Sequence, residues 1–398
     1  MGTKTRVLFL IPSLVAHGAE RQLCELVRHM DRTRFELHVV VFYDPGSYIG
    51  GELGPEIGSL PNVTLHSLHK RRGLAGFLTA LPRLLALIQR TKPDILHGYM
   101  DGNLPVLLMG CLVHKPIVWG IRRSSSDPSK LSARGRRLGM VMARLSGYVD
   151  LIIFNSEAGR ITHERIGMIG KRAYVIPNGF DTQRFAPDPA AGAAQRRAWG
   201  IPAEVPLIGI VGRFAPVKDH ATFLRAVARL GEEWPAARFI CIGNGPEAYT
   251  EELKALAGSL GISDRILWPG VCEQMSAAYN ALSLLVLSST DEGFPNVIGE
   301  AMACGIPCVT TRVGDAVLLI GDTGVVTDIA DDAALASAVS ILLRESPEAR
   351  ANRAQAARFR ICSMFSVQAL ARNTEHLLLS LLADPASAPP LNADEPSG

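Results

Sequence analysis

The chain has 398 residues, of which 47% are apolar and 20% are charged, and its formal net charge is +3. This length accommodates two domains with separate cores, and the composition is that of an ordinary globular protein. The seven cysteines are scattered and have no companions at metal-ligand spacing, so they predict no zinc site but reduced thiols in a cytoplasmic protein. No run of 18 uninterrupted apolar residues occurs, so we expect no membrane-spanning helix.

The two halves of the chain carry opposite net charges. Up to Ala186 there are 25 Lys and Arg against 14 Asp and Glu, whereas the remainder has 16 against 24. A basic half predicts an anionic partner, such as the inner face of the cell membrane or a phosphorylated acceptor; a solvated basic surface is the alternative. We expect no nucleic acid partner. The predicted membrane contacts are Lys70, Arg71, Arg72 and residues 130–144, including Arg134, Arg136 and Arg137.

Short apolar runs alternate with amphipathic stretches in the first half of the chain. Strands are predicted at residues 7–11, 37–42, 95–97, 117–120, 151–155 and 174–176. Helices are predicted between them at residues 23–30 and 81–90. This alternation favours a parallel sheet covered on both faces by helices.

A turn-rich segment, Asn178-Gly179-Phe180-Asp181, precedes two prolines and an alanine-rich stretch, and it is the best linker candidate. A second alternating series follows, with strands predicted at 207–211, 238–242, 266–268, 284–287 and 308–310, and helices at 221–230, 247–261 and 299–304. Two doubly wound α/β domains facing a cleft are therefore predicted. A helix over residues 367–382 closes the fold, and the Pro/Ala/Asp/Ser-rich residues 384–398 are expected to be disordered.

The most informative motif places two glutamates, Glu292 and Glu300, on either side of a Gly/Pro/Asn turn. A buried strand precedes the turn, and a helix of small residues follows it. The start of a helix offers free backbone N–H groups and the positive end of a dipole, which suit phosphate. Carboxylates accept hydrogen bonds from sugar hydroxyls. The motif therefore predicts a site for a nucleotide sugar.

Further candidate ligands follow other predicted strands of the second half. Arg213 and Lys218 lie on one Gly/Pro loop and could reach a single diphosphate, although they could equally be ordinary surface charges. The glycines of Gly243-Asn244-Gly245-Pro246 could let the backbone approach a ligand or merely permit a turn. No two aspartates are separated by a single residue, so an Asp-x-Asp metal–diphosphate site is absent and no metal is expected.

The first half offers fewer candidates. Gly18 lies just before a predicted helix, where a first-strand loop would meet a phosphate or sugar. His97 and Arg122 each follow a predicted strand, and each could face the cleft or have a structural role. His97 could titrate near neutrality. Arg122 stays charged and cannot act as a base.

Together these segments resemble the retaining glycosyltransferases of family GT4, which have the two-domain GT-B fold. The resemblance covers most of the chain and is strongest from about residue 174 to 315. The matching segments are Gly18-Ala19-Glu20, Pro177-Asn178-Gly179 with Asp181 and Phe185, Gly212-Arg213 with Lys218, Gly243-Asn244-Gly245-Pro246, and the run from Glu292 to Pro307. The resemblance implies a domain for the acceptor at residues 1–180, a nucleotide-sugar domain at 181–366, a helix at 367–383 that packs back towards the first domain, and a tail at 384–398.

The resemblance also implies roles for single residues. Arg213, Lys218 and Glu292 would be catalytic: the cations stabilise the leaving diphosphate, and Glu292 orients the donor sugar. Glu300 would hold the ribose. The remaining donor-binding positions are Gly18, Gly212, Asn244, Gly245, Gly293, Phe294, Pro295, Asn296 and Val297.

The implied reaction moves a hexosyl group from a UDP- or GDP-sugar to a glycan or lipid-linked acceptor, with retention of configuration and without a metal. Surface polysaccharide or glycolipid synthesis is the expected setting. One departure concerns the loop Trp119-Gly120-Ile121-Arg122-Arg123, where many relatives carry a functional histidine that this chain lacks. A general base is therefore not identified. A nucleotide-sugar 2-epimerase and a non-catalytic nucleotide-sugar or glycan-binding protein are the alternatives.

Overall fold

Two parallel β-sheets organise the computed structural model of this protein. It describes residues 4–15, 17–44, 46, 49–70, 73, 75–122, 133–231 and 233–383. The predicted tail at 384–398 lies outside these residues, as do Arg71, Arg72, Arg123, Lys130 and the side chain of Arg134.

The first sheet has seven strands in the order β3-β2-β1-β4-β5-β6-β7, all parallel to their neighbours. The strands are β1 (Thr5–Ile11), β2 (Phe35–Val41), β3 (Val63–Ser67), β4 (Ile95–Tyr99), β5 (Ile117–Ile121), β6 (Leu151–Phe154) and β7 (Ala173–Val175). The helices between them are α1 (Gly18–His29), α2 (Gly54–Gly58), α3 (Ala75–Thr91), α4 (Asn103–Val113), α5 (Ala133–Leu145) and α6 (Glu157–Arg165).

Both faces of this sheet are buried, which explains why its central strands have continuous apolar runs. Alternate side chains of β1 enter different cores: Val7 and Phe9 pack with α1, whereas Leu8 packs with α3 and α4 on the opposite face. The predicted helix-covered parallel sheet is therefore confirmed for the first half of the chain.

The second sheet repeats this arrangement with six parallel strands in the order β10-β9-β8-β11-β12-β13. The strands are β8 (Leu207–Val211), β9 (Arg238–Ile242), β10 (Ile266–Gly270), β11 (Leu284–Leu287), β12 (Cys308–Thr311) and β13 (Val325–Thr327). The helices are α7 (Pro189–Ala198), α8 (His220–Leu230), α9 (Glu247–Ser259), α10 (Met275–Ala281), α11 (Asn296–Ala303), α12 (Ala316–Ile320), α13 (Asp332–Leu343), α14 (Pro347–Met364) and α15 (Val367–Ser380).

Phe180 and Ser366 form a β-bridge where the chain passes between the two halves in each direction. The Phe180 ring packs so tightly on α11 that a Cβ at Gly299 would lie 2.1 Å from it. After this crossing, α15 returns to the first domain, where Leu370 and Leu377 share a core with Leu23 of α1. The boundaries at residues 180 and 366 remain predictions.

Two strands were not predicted from the sequence, and both are short and at the edge of a sheet. The side chains of β3 are mostly half-exposed, and β13 has only three residues, so neither shows a continuous apolar run. The strand order changes direction between β1 and β4 and again between β8 and β11. Ligands of such folds bind beyond the carboxyl ends of the strands at these points.

Candidate active site

A cleft of about 430 Å³ lies between the two domains. Its lining comes from loops at the carboxyl ends of strands in both sheets. The amino-terminal half contributes Gly18, Ala19, Arg122, Asn155 and Asn178, and the carboxyl-terminal half contributes Arg213, Val217, Lys218, Asp291, Glu292, Gly293, Phe294 and Asn296.

Two helix N-termini meet at this cleft. Helix α1 begins at Gly18 and α11 begins at Asn296, and a Cβ at Gly18 would lie 3.3 Å from Nδ2 of Asn296. Each helix start directs backbone N–H groups and the positive end of its dipole towards the same space. The cleft is therefore suited to an anion such as a diphosphate.

Two cations from the loop after β8 add to this positive field. Arg213 is exposed to the cleft, and Lys218 donates to Oε1 of Glu292 at 2.5 Å. Ser289 donates to the same oxygen at 2.7 Å, so the loops after β8 and β11 are joined through Glu292. The structure thus brings Arg213, Lys218 and Glu292 into one site although 79 positions separate the first from the last.

Gly212 and the segment Gly243-Asn244-Gly245, which were predicted to approach the donor, do not line this cleft. The N–H of Phe214 donates to the carbonyl of Asn244 at 2.7 Å, which holds the loops after β8 and β9 together. A Cβ at Gly243 would lie 2.0 Å from the carbonyl oxygen of Gly212, and one at Gly245 would lie 2.2 Å from that of Phe214. These glycines let two loop backbones approach closely, so in this structure Gly212, Asn244 and Gly245 support the Arg213 loop from behind.

The segment before α11 presents its backbone to the cleft and its apolar side chains to the core. The Phe294 ring packs against Phe180 and Phe365, with ring centres 6.2 and 5.6 Å away. Pro295 is the N-cap residue of α11, and Val297 packs against the same core. Gly293, Phe294 and Asn296 line the cleft, whereas Pro295 and Val297 do not.

Glu300 lies one helical turn beyond Asn296 and lines a second cavity of about 110 Å³. Asn296 lines both cavities, so the two are adjacent. The hydroxyl of Tyr279 donates to Oε2 of Glu300 at 2.6 Å. Burial raises the pKa of Glu300, and this hydrogen bond partly offsets the rise. Arg21 and Arg184 line the same cavity and bring positive charge to it.

His97 and Arg122 have different positions at the site. His97 is fully buried, its ring centre is 4.6 Å from that of Tyr99, and it does not line the cleft. Burial, with a smaller effect of Arg122, holds the pKa of His97 well below its usual value, so the expectation of titration near neutrality is wrong. Arg122 reaches the cleft and donates to the Tyr99 hydroxyl at 3.1 Å.

Asn178 joins the two domains across the cleft. Its Nδ2 donates to Oδ1 of Asn296 at 2.7 Å, and its own Oδ1 accepts from Arg122 at 3.4 Å. Asn178 was assigned only to the linker from the sequence, and Asn155 was assigned only to a strand. The position of Asn155 at the carboxyl end of β6 was the signal that could have identified it, because cleft residues follow strands in such folds.

Possible metal ligands come together at one place among the described residues. Atoms of Glu25, His29 and Asp181 lie within 4.8 Å of one another. However, Glu25 is paired with Arg28 at 3.1 Å, and Asp181 accepts hydrogen bonds from the backbone of Gln183 and Arg184. These groups already have partners within the protein, so the cluster is weak support for a metal site.

Comparisons with known proteins agree with this arrangement. Residues 16–184 match the model for Glycosyltransferase Family 4, and residues 205–345 match the model for glycosyl transferases group 1. A putative glycosyltransferase, EpsF of Bacillus subtilis, is 27% identical over 314 residues, which cover 77% of this chain and 79% of EpsF.

A second relative is the GDP-mannose-dependent α-(1-6)-phosphatidylinositol monomannoside mannosyltransferase of Mycolicibacterium smegmatis. It is 30% identical over 280 residues, which cover 65% of this chain and 70% of that enzyme. Among solved structures, HepE of Anabaena in complex with UDP-glucose superposes with a TM-score of 0.80 at 22% identity, covering 94% of this chain and 99% of HepE.

The superposition and the two parallel sheets confirm the predicted GT-B fold. The segments that match the two family models lie on opposite sides of the cleft. The first segment contains Gly18, and the second contains Arg213, Lys218 and Glu292. The chain therefore belongs to the glycosyltransferases, with a family 4 domain in its amino-terminal half and a group 1 domain in its carboxyl-terminal half.

Proposed function

We propose that this protein is a retaining hexosyltransferase that moves a sugar from a UDP- or GDP-sugar to a glycan or lipid-linked acceptor without a metal. The observation that carries the proposal is the convergence of two helix N-termini and two cations on one cleft beside a carboxylate. The helix starts and cations suit the donor diphosphate, and Glu292 suits the hydroxyls of the sugar.

The same groups explain how the donor would be activated. Negative charge accumulates on the diphosphate as the bond to the sugar breaks, and Arg213, Lys218 and the N-terminus of α11 stabilise that charge. Oε1 of Glu292 already accepts from Lys218 and Ser289, so we assign its Oε2 to accept from a substrate hydroxyl. In a front-face substitution the leaving phosphate takes the proton of the acceptor hydroxyl, so the reaction does not need a separate general base.

Glu300 is assigned to the nucleoside because of its distance along α11 from the phosphate site. It lies one turn beyond Asn296, in the adjoining cavity. An ionised carboxylate there would accept hydrogen bonds from the two ribose hydroxyls. The related proteins do not decide whether the nucleotide of the donor is UDP or GDP. One relative is named as GDP-mannose-dependent, and one solved structure contains UDP-glucose.

The acceptor side is assigned to the basic amino-terminal half, in the setting of surface polysaccharide or glycolipid synthesis at the cytoplasmic face of the membrane. Helix α5 supports a membrane contact because the cations Arg136 and Arg137 and the apolar Leu138, Met140 and Val141 are all exposed on it. Such a surface suits an anionic bilayer. Among the described residues, no helix is both long and apolar enough to span a membrane.

Lys70 is not part of this surface, which corrects one expectation from the sequence. Its side chain is buried, and its Nζ donates to the Tyr43 hydroxyl at 2.8 Å and lies 4.0 Å from the ring centre of Phe77. The long apolar stem of lysine packs well against aromatic rings, so a basic residue in the sequence need not be a surface charge.

Neither alternative function is favoured. The relatives reported above are named as a glycosyltransferase and a mannosyltransferase. Arg213, Lys218 and Glu292 line the cleft, and Glu300 lines the cavity next to it, so the full set of predicted donor-binding charges is present. Proton exchange at the sugar C2 without an acceptor would support an epimerase, and tight donor binding without turnover would support a binding protein.

The test is a screen of UDP- and GDP-sugars, first by thermal shift and then by transfer or donor hydrolysis. A bound donor raises the apparent melting temperature because it binds only the folded state. We expect one donor to stabilise the protein and to turn over with retention of the anomeric configuration, and turnover to persist in EDTA. An inverted product or full loss of activity on chelation would contradict the proposal.

A further inference from the structure

Asp315 contacts both domains, and the proposed function does not use it. The residue lies between β12 and α12 in the second domain and is only 5% exposed. Its two carboxylate oxygens accept hydrogen bonds from the first domain, from the backbone N–H of Glu157 at 2.6 Å and of Ala158 at 2.9 Å. These N–H groups form the N-terminus of α6, so a buried negative charge of one domain caps a helix of the other.

The backbone of Asp315 is also attached to the donor-binding loop. Its N–H donates to the carbonyl of Gly293 at 2.9 Å. The preceding residue, Gly314, packs so closely on this loop that an added Cβ would lie 2.2 Å from the carbonyl oxygen of Glu292. A single residue therefore connects the loop that carries Glu292 to helix α6 of the opposite domain.

Asn155 lies at the other end of this connection. It is two residues before Glu157, is 5% exposed and lines the cleft. Its Oδ1 is buried and has no hydrogen-bond partner among the residues that the structure describes. A buried amide oxygen without a partner is costly, and a hydroxyl group of a ligand would satisfy it.

We propose that Asn155 is a substrate-contacting residue that accepts a hydrogen bond from a sugar hydroxyl, and that Asp315 is the positioning residue that holds it against the donor loop. Asp315 does so by binding the N-terminus of α6, immediately after Asn155. When the two domains close and Asp315 binds α6, the Asn155 amide is therefore brought into position at the same time. The sugar belongs either to the donor or to the acceptor, and both present hydroxyls.

Hydrogen exchange tests the Asp315 contact without turnover. The first N–H groups of a helix have no acceptor within the helix, so slow exchange at Glu157 and Ala158 would come from Asp315. We expect protection there in the unmodified protein, its loss at both amides in Asp315→Ala, and its loss at one of them in Asp315→Asn, whose carboxamide keeps a single acceptor oxygen. The matched control is Asp331→Asn, because Asp331 caps α13 through the N–H of Ala334 at 2.8 Å and does not line the cleft. Equal exchange at both amides in all proteins would overturn the contact.

Steady-state kinetics test the roles in transfer. Asp315→Asn should lower kcat by roughly tenfold to a hundredfold, as expected when a reacting group is misplaced, whereas Asp331→Asn should leave kcat unchanged. Asn155→Ala should lower kcat/KM about tenfold, the effect of one neutral hydrogen bond. A raised KM for the acceptor alone assigns the hydroxyl to the acceptor, and a raised KM for the donor alone assigns it to the donor. Wild-type kinetics for Asn155→Ala would overturn the substrate contact.

A double variant separates positioning from simple stability. If Asp315 acts through Asn155, combining Asn155→Ala with Asp315→Asn should cost less than the product of the two single effects. The inference rests on the cleft being the transfer site, but the two can fail separately. If the amides of Glu157 and Ala158 are protected but no donor is turned over, the transferase proposal is contradicted while the Asp315 contact is supported. Turnover that Asp315→Ala leaves unchanged, with unprotected amides, would overturn the inference.

Discussion

Lys218 and Glu292 form an ion pair at the cleft, with Nζ of the lysine 2.5 Å from Oε1 of the glutamate. Both side chains are mostly buried, at 24% and 12% exposure. In the proposed complex the lysine faces the donor diphosphate and the glutamate faces the sugar. The donor phosphate therefore competes with Glu292 for Lys218, and donor binding has to weaken the ion pair between the two side chains.

This competition predicts opposite effects on binding and catalysis. Glu292→Gln should tighten the binding of UDP or GDP several-fold, because the carboxylate that holds Lys218 no longer competes with the phosphate for it. The same variant should lower the rate of sugar transfer, because a neutral amide holds a sugar hydroxyl less strongly than a carboxylate. Calorimetric titration and transfer assays measure the two effects. Glu247→Gln, on the exposed start of α9, is the control, and weaker nucleotide binding by Glu292→Gln would contradict the prediction.

Removing the cation itself should have a larger effect on turnover. Lys218→Ala takes away charge that stabilises the leaving diphosphate, so kcat should fall about 10²- to 10³-fold. The control is Lys254→Ala, since Lys254 forms only an exposed pair with Glu251 at 2.9 Å. Steady-state transfer with a saturating donor makes the comparison. Equal turnover in the two variants would remove Lys218 from the catalytic assignment.

Buried and half-buried histidines make the stability of the fold sensitive to mild acid. Burial lowers the pKa of His220 and His66 to about 4, and it holds that of His97 well below 6.5. Below pH 6.5 the unfolded chain therefore binds protons that the folded chain does not, so the free energy of unfolding falls as pH drops from 6.5 towards 4. Each such histidine contributes up to about 1.4 kcal/mol per pH unit.

The variant His97→Phe tests this pH dependence at one site. Phenylalanine preserves the packing on Phe9 and Tyr99 but cannot titrate, so urea unfolding between pH 7 and pH 5 should show a smaller loss of stability. His114→Gln removes an exposed histidine and serves as the control. An undiminished loss of stability in His97→Phe would show that another group dominates the acid response.

The contact between Gly299 and Phe180 predicts a strong effect of a single methyl group. Gly299→Ala would place its Cβ 2.1 Å from the ring where the chain crosses between domains, so either the ring or α11 has to move. We expect a loss of about 1–3 kcal/mol in the free energy of unfolding, together with weaker donor binding. Gly58→Ala is the matched control because its added Cβ meets nothing within 4 Å. Equal melting temperatures for the two variants would contradict the tight packing.

Membrane contact through α5 is tested by sedimentation with anionic vesicles. Binding should occur at low salt and fall as salt rises, because screening weakens the attraction between Arg136, Arg137 and the lipid headgroups. Reversing both charges, Arg136→Glu with Arg137→Glu, should abolish it. Arg197→Glu changes an exposed charge of the second domain and should have no effect. Absence of binding at low salt would exclude this surface.

Much of the architecture was predictable because the signals are local. Continuous apolar runs identified the central strands, which are buried on both faces, and the turn before α11 identified a helix start suited to phosphate. Edge strands such as β3 were missed because their half-exposed side chains do not form such a run. The expected titration of His97 near neutrality and the expected surface position of Lys70 were wrong for a related reason: the sequence does not reveal whether a polar side chain lies in the core.

By itself, therefore, the sequence determined two alternating α/β halves and the turn and helix start around Glu292, from which a donor site is predicted, since periodicity and turn chemistry act over a few residues. Only the tertiary structure decided which distant residues meet. It placed Gly18 beside Asn296, brought Arg122 to the cleft while burying His97 in the core, and attached Asp315 to the N-terminus of α6. These contacts join residues more than 100 positions apart or on different strands, and they depend on the packing of one domain against the other.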